Sequence, residues 1–312
     1  MKKVLLATTL LAASATVAAA EVTVGGNARM GVVYDGNANG TTTSKTLFTS
    51  RVRVVFTMSG ETDGGLAFGA SVRNDQSGQG NTKNGDSTVF ISGAFGKITF
   101  GDNDSAANVL VGHVGATSLT GLGDNNELGY LGQSDTSVLY EYSTGPLSVA
   151  LSLGQRNIAG TPAVTSTVTG CTPLAPATSC TVVTTPAVAA IADEAASIAV
   201  KYSADTFYAA IGYEDTKTDD QTSVAVGGSF SGVDVKFVAA DRKSWADTHY
   251  ALSVGYSMDG LGVTAFYADK GPSNAYGLGA SYDLGGGAKV VGGIQKVKGS
   301  KAVADLGLTF SF

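Results

Sequence analysis

The chain ends on Leu306-Gly307-Leu308-Thr309-Phe310-Ser311-Phe312, apolar at every even position and small or polar at every odd one. A period of two places alternate side chains on opposite faces of an extended strand, so this segment reads as a strand with one apolar face. The pattern recurs upstream. In Arg51-Val52-Arg53-Val54-Val55-Phe56-Thr57-Met58 the residues Val52, Val54, Phe56 and Met58 share a face, and Arg51, Arg53 and Thr57 share the other. Leu66, Phe68, Ala70 and Val72 alternate with Gly69, Ser71 and Arg73, as Tyr276, Leu278, Ala280 and Tyr282 do with Gly277, Gly279 and Ser281.

About sixteen such segments can be read, with cores at 22–33, 46–58, 66–75, 87–94, 97–101, 136–143, 147–155 and 193–203, then 206–214, 221–230, 233–241, 248–258, 262–270, 274–283, 288–297 and 301–311. Their connections alternate between short and long. Tight joints such as Gly93–Gly96, Thr144–Pro146, Ser231–Gly232 and Asp259–Gly260 are separated by longer polar loops at Tyr34–Lys45, Asp75–Asp86, Asp102–Thr136 and Arg156–Asp193. Short turns on one side and long loops on the other are the habit of an up-and-down barrel in a bacterial outer membrane. Most segments reach the roughly 9–11 residues a tilted strand needs to cross a bilayer. A soluble sandwich also alternates, but here the polar face carries arginines. In addition, Tyr140, Tyr142, Tyr202, Phe207, Tyr208, Tyr276, Tyr282, Phe310 and Phe312 crowd strand ends, where rings favour the headgroup level. The expected fold is all-β: a 16-stranded antiparallel transmembrane up-and-down β-barrel. A barrel of that size leaves an aqueous channel, whereas eight strands leave a filled interior.

Composition agrees with this. Only 15% of the 312 residues are charged, against about 25% in ordinary soluble proteins. Mean hydropathy is nevertheless slightly positive. The sequence has no uninterrupted apolar run of transmembrane-helix length after Ala20. The 42 glycines and 6 prolines suit strands joined by tight turns. A net charge of −6 argues against nucleic acid as a partner.

Residues 1–20 read as a secretory signal peptide: Lys2 and Lys3 precede the apolar Val4–Leu11, and Ala18-Ala19-Ala20 supplies an A-x-A cleavage site. Removing 20 residues from 312 leaves 292, the barrel domain 21–312, and removing two lysines takes the charge to −8. Export exposes Cys171 and Cys180, the only cysteines, to an oxidising compartment, where a disulfide is expected. It would close a loop of about ten residues and stabilise by about 2–3 kcal/mol in the chain-entropy account.

One connection is too long for a rim loop. The 35 residues Asp102–Thr136 hold no Lys or Arg but carry Asp102, Asp104, Asp124, Glu127 and Asp135. Arg29, Arg51, Arg53 and Arg73 lie on the polar faces of three consecutive strands. Folded inward, the loop would face this basic wall and narrow the channel with a transverse field; lying outside, it would leave the arginines to solvate the lumen. Asp102-Asn103-Asp104 and Asp124-Asn125-Asn126-Glu127 also offer oxygen ligands of the kind calcium takes, without the EF-hand pattern.

Five stretches resemble the Rhodobacter-type porins, the trimeric 16-stranded general-diffusion channels. They are Gly26–Val33 (GNARMGVV), Val55–Ser71 (VFTMSGETDGGLAFGAS), Thr88–Asp102 (TVFISGAFGKITFGD), Tyr276–Ile294 (YGLGASYDLGGGAKVVGGI) and Val303–Phe312 (VADLGLTFSF). The resemblance implies passive passage of small hydrophilic solutes and ions through an integral outer-membrane homotrimer embedded among lipid and lipopolysaccharide. It also implies an inward-folded third loop set against basic residues of the wall, and it is compatible with calcium at the acidic loop, no cofactor being required. The arginines carry over because Arg29 lies inside a matching stretch and Arg51 and Arg53 just precede one. The Asp102–Thr136 loop keeps the family's position and acidic sign only, and the Arg156–Asp193 loop has no recognisable counterpart. The protomer contact is expected on the lipid-facing side near both termini.

Other functions leave weaker marks. An enzyme would need a site around His113 or His249, the only histidines, and neither sits in a G-x-S-x-G or H-E-x-x-H motif. An adhesion or binding barrel would act through the disulfide-closed external loop and would not conduct. A substrate-specific channel would need aromatic tracks in the lumen, whereas the rings above are expected mostly to face outward.

Overall fold

The computed structural model describes residues 20–77, 81–132, 136–158, 164–166, 183–185 and 191–312. Cys171, Cys180, Asp135 and residues 1–19 lie outside these. The first strands are β1 (Glu21–Asp35), β2 (Thr46–Glu61), β3 (Ala67–Ser77), β4 (Asn81–Gly93) and β5 (Gly96–Gly101). After a short helix α1 (Ala106–Val111) come β6 (Ser137–Thr144) and β7 (Leu147–Ile158). A small ribbon of β8 (Val164–Ser166) and β9 (Val183–Thr185) follows. The chain continues through β10 (Ile191–Ser203), β11 (Phe207–Thr216), β12 (Asp220–Phe230), β13 (Val233–Arg242) and β14 (His249–Met258). It finishes with β15 (Leu261–Lys270), β16 (Ser273–Gly285), β17 (Ala288–Val297) and β18 (Val303–Ser311).

All strands except β8 and β9 form one closed antiparallel barrel of sixteen, each paired with its chain neighbour and β18 closing on β1. Closure removes every free sheet edge, which a lipid environment requires. No described helix is long and apolar enough to cross a membrane; the spans are strands.

The sixteen expected segments are the sixteen barrel strands. Their upper ends run further than the alternation suggests. Residues read as the loop Asp75–Asp86 instead pair across β3 and β4, with Asn74 opposite Asn84 and Asp75 opposite Lys83, beyond a bulge at Val72/Asn74. Above the apolar belt both faces of a strand meet water, so the hydrophobic alternation fades while the hydrogen-bond ladder continues. The β8–β9 ribbon was not foreseen either, and neither was α1. The sequence of Asp102–Thr136 reads as structureless, but Ser105 caps a helix by accepting the Asn108 N–H at 3.2 Å.

The barrel is apolar outside. Leu153, Val226, Leu278 and Leu306 point outward and are more than half exposed. Inside, the buried residues are mostly small: Ala150, Ala199, Ala225, Ala251, Ala268 and Ala275. Those alanines are buried by the chain between β5 and β6, which lies within the barrel.

Candidate functional site

The strand β5 has six residues because the chain leaves the wall at Gly101, whose φ of +125° favours glycine and where a Cβ would strike the Ser87 carbonyl. Asn103 staples this exit by donating its amide to the carbonyls of Thr99, Gly101 and Ser137 at 3.1–3.3 Å. The loop then crosses the inner wall, and its backbone donors are met one strand at a time. Ala106 N–H donates to Ser152 Oγ on β7 and Ala107 N–H to Ser197 Oγ on β10, both at 2.9 Å. Gly115 N–H donates to Ser253 Oγ on β14 at 2.9 Å, and the Thr117 and Thr264 hydroxyls meet at 3.1 Å on β15. Gln295 on β17 donates to the Gly121 and Leu122 carbonyls.

The firmest anchor is Asp305 on β18. Its carboxylate accepts Leu119 N–H at 3.0 Å, Thr120 N–H and the Thr120 hydroxyl at 2.7 Å, and Gly293 N–H at 3.0 Å. A second wall carboxylate, Glu214 on β11, is 2% exposed and joins the two ends of the loop. It accepts Leu131 N–H at 3.2 Å and the Ser105 hydroxyl. The loop's contact surface is prepared by glycine. Gly279 and Gly293 stand side by side in register, next to Asp305, and a Cβ on either would collide with the Thr117 carbonyl.

The four arginines do share one interior wall. Arg29 on β1 lies directly opposite Arg51 on β2, an arrangement that repels. Partners offset it: Arg29 Nη1 donates to the Leu119 carbonyl at 3.0 Å and Arg51 Nη2 to Asn27 Oδ1 at 2.8 Å. Arg53 grips Asp75 on β3 with two hydrogen bonds of 2.8 and 2.7 Å, and Arg73 approaches the same carboxylate at 3.3 Å. In the sequence Asp75 lies where the strand core 66–75 meets the loop Asp75–Asp86. It stands within β3, inside the basic wall, and neutralises part of it.

On the loop, Asp102, Asp104, Asp124 and Glu127 are all solvent-exposed. Asp104 accepts the Asn108 amide at 2.9 Å. Asp124 lies within electrostatic reach of Arg29. Partial burial pushes the Glu127 carboxyl above the ordinary glutamate value, and repulsion from Asp124 and Asp104 adds to this. His113 Nε2 stands 3.7 Å from Glu127, and its ring meets Tyr130 edge-on at 5.2 Å. Burial, then the nearby Lys236, holds His113 below the ordinary histidine value. Burial, with Glu214 adding, pushes Tyr130 well up, and its hydroxyl donates to the Gly112 carbonyl at 2.8 Å.

The calcium expectation finds no cage: no three acidic, histidine or cysteine side chains converge among the described residues. The aromatic expectation needs one correction. Tyr208 does not face the headgroups but points into the lumen, where Lys201 Nζ lies 4.4 Å from its ring centroid. Near the short turn between β10 and β11, Tyr208 fills the space left on the inner face by Gly227. His249, the other histidine, stacks on Trp245 at 3.6 Å, with Arg242 over the same indole.

Asp305, Glu214, Asp75 and the glycine seat were missed in the sequence. A signal for them exists: Asp305 is the one charge in β18, and glycines recur at inner-face positions of β16, β17 and β18.

A closed sixteen-stranded barrel, apolar outside and charged within, with a loop laid across its interior, defines a membrane-spanning pore. The sequence profile of Gram-negative porins matches residues 7–302. The porin of Rhodobacter capsulatus is 36% identical, the match covering 94% of this chain and all of that one. The porin of Fuscovulum blasticum is 27% identical with the same coverages. A porin structure refined at 1.8 Å superposes with a TM-score of 0.70 at 31% identity, over 94% of this chain and 100% of the other. A variant of the Rh. blastica porin shares the fold at TM-score 0.71 and 21% identity, with the same coverages. The chain belongs to the Gram-negative porin family and is an outer-membrane general-diffusion porin.

Proposed function

We propose that the loop 102–136 and the wall of Arg29, Arg51, Arg53 and Arg73 together form the eyelet that sieves solutes passing through this porin. The observation that carries the reading is the loop's path: it is hydrogen-bonded to the inner face from β7 round to β1, so its exposed acids can face only the remaining lumen. Opposed charges across a water-filled gap orient dipolar solutes and make passage of apolar ones costly, because the latter must displace ordered water. Small hydrophilic molecules and ions are the substrates, moving down their gradients without a reaction. His113 and His249 serve packing in this reading, and no catalytic step is assigned to them.

Three copies assemble through the lipid-facing side near the termini. Val24, Met30, Val52 and Phe56 on β1 and β2, beside Leu306 on β18, give that surface an apolar character. Residues 1–20 direct export and are removed. Flow requires no cofactor; calcium would find only the exposed carboxylates of the loop, so chelation should leave conductance unchanged. The test is single-channel recording of the refolded chain 21–312 under a salt gradient. Large ohmic steps arriving in threes with weak ion selectivity support the reading. A folded, heat-modifiable barrel without conductance overturns it.

A further inference from the structure

Apart from the eyelet, the lumen holds a second charged feature of the opposite character. Lys201 on β10 and Lys236 on β13 both lie against the Tyr208 ring, their Nζ atoms 4.4 and 6.0 Å from its centroid. Among the described residues neither ammonium has a carboxylate within 4.0 Å, whereas Arg53 and Arg73 share Asp75. Two like charges held over one ring repel each other, so the barrel keeps them together at a cost that an arriving anion would relieve.

Lys236 and the Tyr208 ring border a recess of about 500 Å³ between the loop and the short turn that follows β10, with Lys201 against that same ring just outside its lining. Its wall supplies the hydroxyls of Ser253, Ser257 and Thr264, and its roof is His113, whose Nδ1 has no hydrogen-bond partner. Gly112 has φ +62°, which favours glycine, and the point where its Cβ would stand is 3.1 Å from Lys236 Nζ, so the loop backbone approaches that ammonium closely. Asp205 and Asp234 also border the recess, at its periplasmic rim; Asp234 is one inward-facing position nearer the turn than Lys236. The acids thus mark the mouth and Lys236 the interior.

We propose that this recess is a binding subsite for small multivalent oxyanions, such as inorganic phosphate or a short dicarboxylate, on the periplasmic side of the eyelet. The Lys236 ammonium can bind the anion directly, Lys201 on the Tyr208 ring adds to the positive field there, and the hydroxyls can donate to the remaining oxygens. Such a site would retain these anions briefly in a channel that otherwise only sieves.

The inference rests on the pore reading, and one experiment separates the two. Chloride current through single channels is recorded while inorganic phosphate is raised at constant ionic strength. The wild-type channel should show a saturable fall in current. With K201Q and K236Q combined, the half-saturating phosphate concentration should rise about tenfold, since each lost contact is worth a factor of a few in water. K201R with K236R should retain saturation, which guards against a merely misfolded glutamine variant. A conducting wild-type channel with no phosphate saturation, or glutamine variants that saturate like the wild type, would overturn the subsite and leave the pore intact. Absence of chloride conductance would overturn both.

Discussion

The two sides of this barrel's interior are built from different residues for different neighbours. The inner faces of β2 and β3 carry Arg51, Arg53, Arg73 and Asp75, long and charged side chains in water. From β7 to β17 the inner face carries Ala150, Ser152, Ser197, Gly212, Ala225, Ala251, Ser253, Gly279 and Gly293. Where the loop lies, the wall is mostly small, interrupted by the anchoring carboxylates Glu214 and Asp305 and by Lys236; where it does not, the wall is lined by arginines. A closely packed interior tolerates little added volume, so the small side is a fitted seat and the charged side is the free bank of the stream. The comparison teaches that residue size on the inner face, as much as charge, decides where the opening falls.

The sharpest way to break that comparison is to add volume to the seat. Gly279→Leu drives a side chain into the Thr117 carbonyl and must lift the loop off β16 and into the remaining lumen. Single-channel conductance should fall about twofold, a change of pore radius rather than of charge. Thr57→Val, on the exposed inner face of β2, should leave conductance nearly unchanged. Equal effects from the two would show that the seat does not position the loop.

Next in size is the anchor. Asp305→Ala removes the acceptor of four hydrogen bonds and leaves buried donors of Leu119, Thr120 and Gly293 unmet. Loss of one partner of a buried charged network costs about 3–5 kcal/mol, and the temperature of heat modification should fall accordingly. Asp305→Asn keeps an acceptor oxygen and should lose less. If both variants unfold like the wild type, the loop is held elsewhere.

These two residues also mark the boundary of what the sequence made legible. The strands were readable because alternation is a local property, and each of the sixteen could be seen without knowing its neighbour. The four arginines were readable as a wall for the same reason: polar-face residues on consecutive strands must meet. The seat was not. Gly279, Gly293 and Asp305 lie together only through the registers of β16, β17 and β18, which depend on turn geometry and long-range pairing. Tyr208 failed for a related reason. Its place at a strand end suggested the headgroup belt, but the period of two places it inward beside Gly227.

The charge contrast itself can be sharpened from both banks. Asp124→Asn with Glu127→Gln removes two charges from the loop, and Arg51→Ala with Arg53→Ala removes two from the wall. A unit charge about 6 Å from a passing ion in water is worth about 0.7 kcal/mol, or about threefold in ion preference. The loop variant should move the reversal potential toward anions and the wall variant toward cations. Movement in the same direction, or none, would mean that the two sets do not face one current.

The smallest effect expected is a titration. Partial burial, with Asp124 and Asp104 close by, raises Glu127 above the ordinary 4.5, so its charge disappears sooner on acidification than that of a free glutamate. A raised acid favours the folded loop in its protonated form. Its contribution is therefore complete below the unfolded value and is lost as pH rises through the folded one. His113 works the other way. Its value lies below the ordinary 6.5, so it contributes most while neutral, above the unfolded value, and that contribution is lost as pH falls through the folded one. Cation preference should therefore begin to decline at a pH above the usual glutamate range, and Glu127→Gln should remove that part of the profile. His113→Asn should leave the decline in place, because the charge lost is on the carboxylate. A wild-type profile that Glu127→Gln leaves unaltered would place Glu127 away from the ion path and move the acidic bank to Asp104 and Asp124.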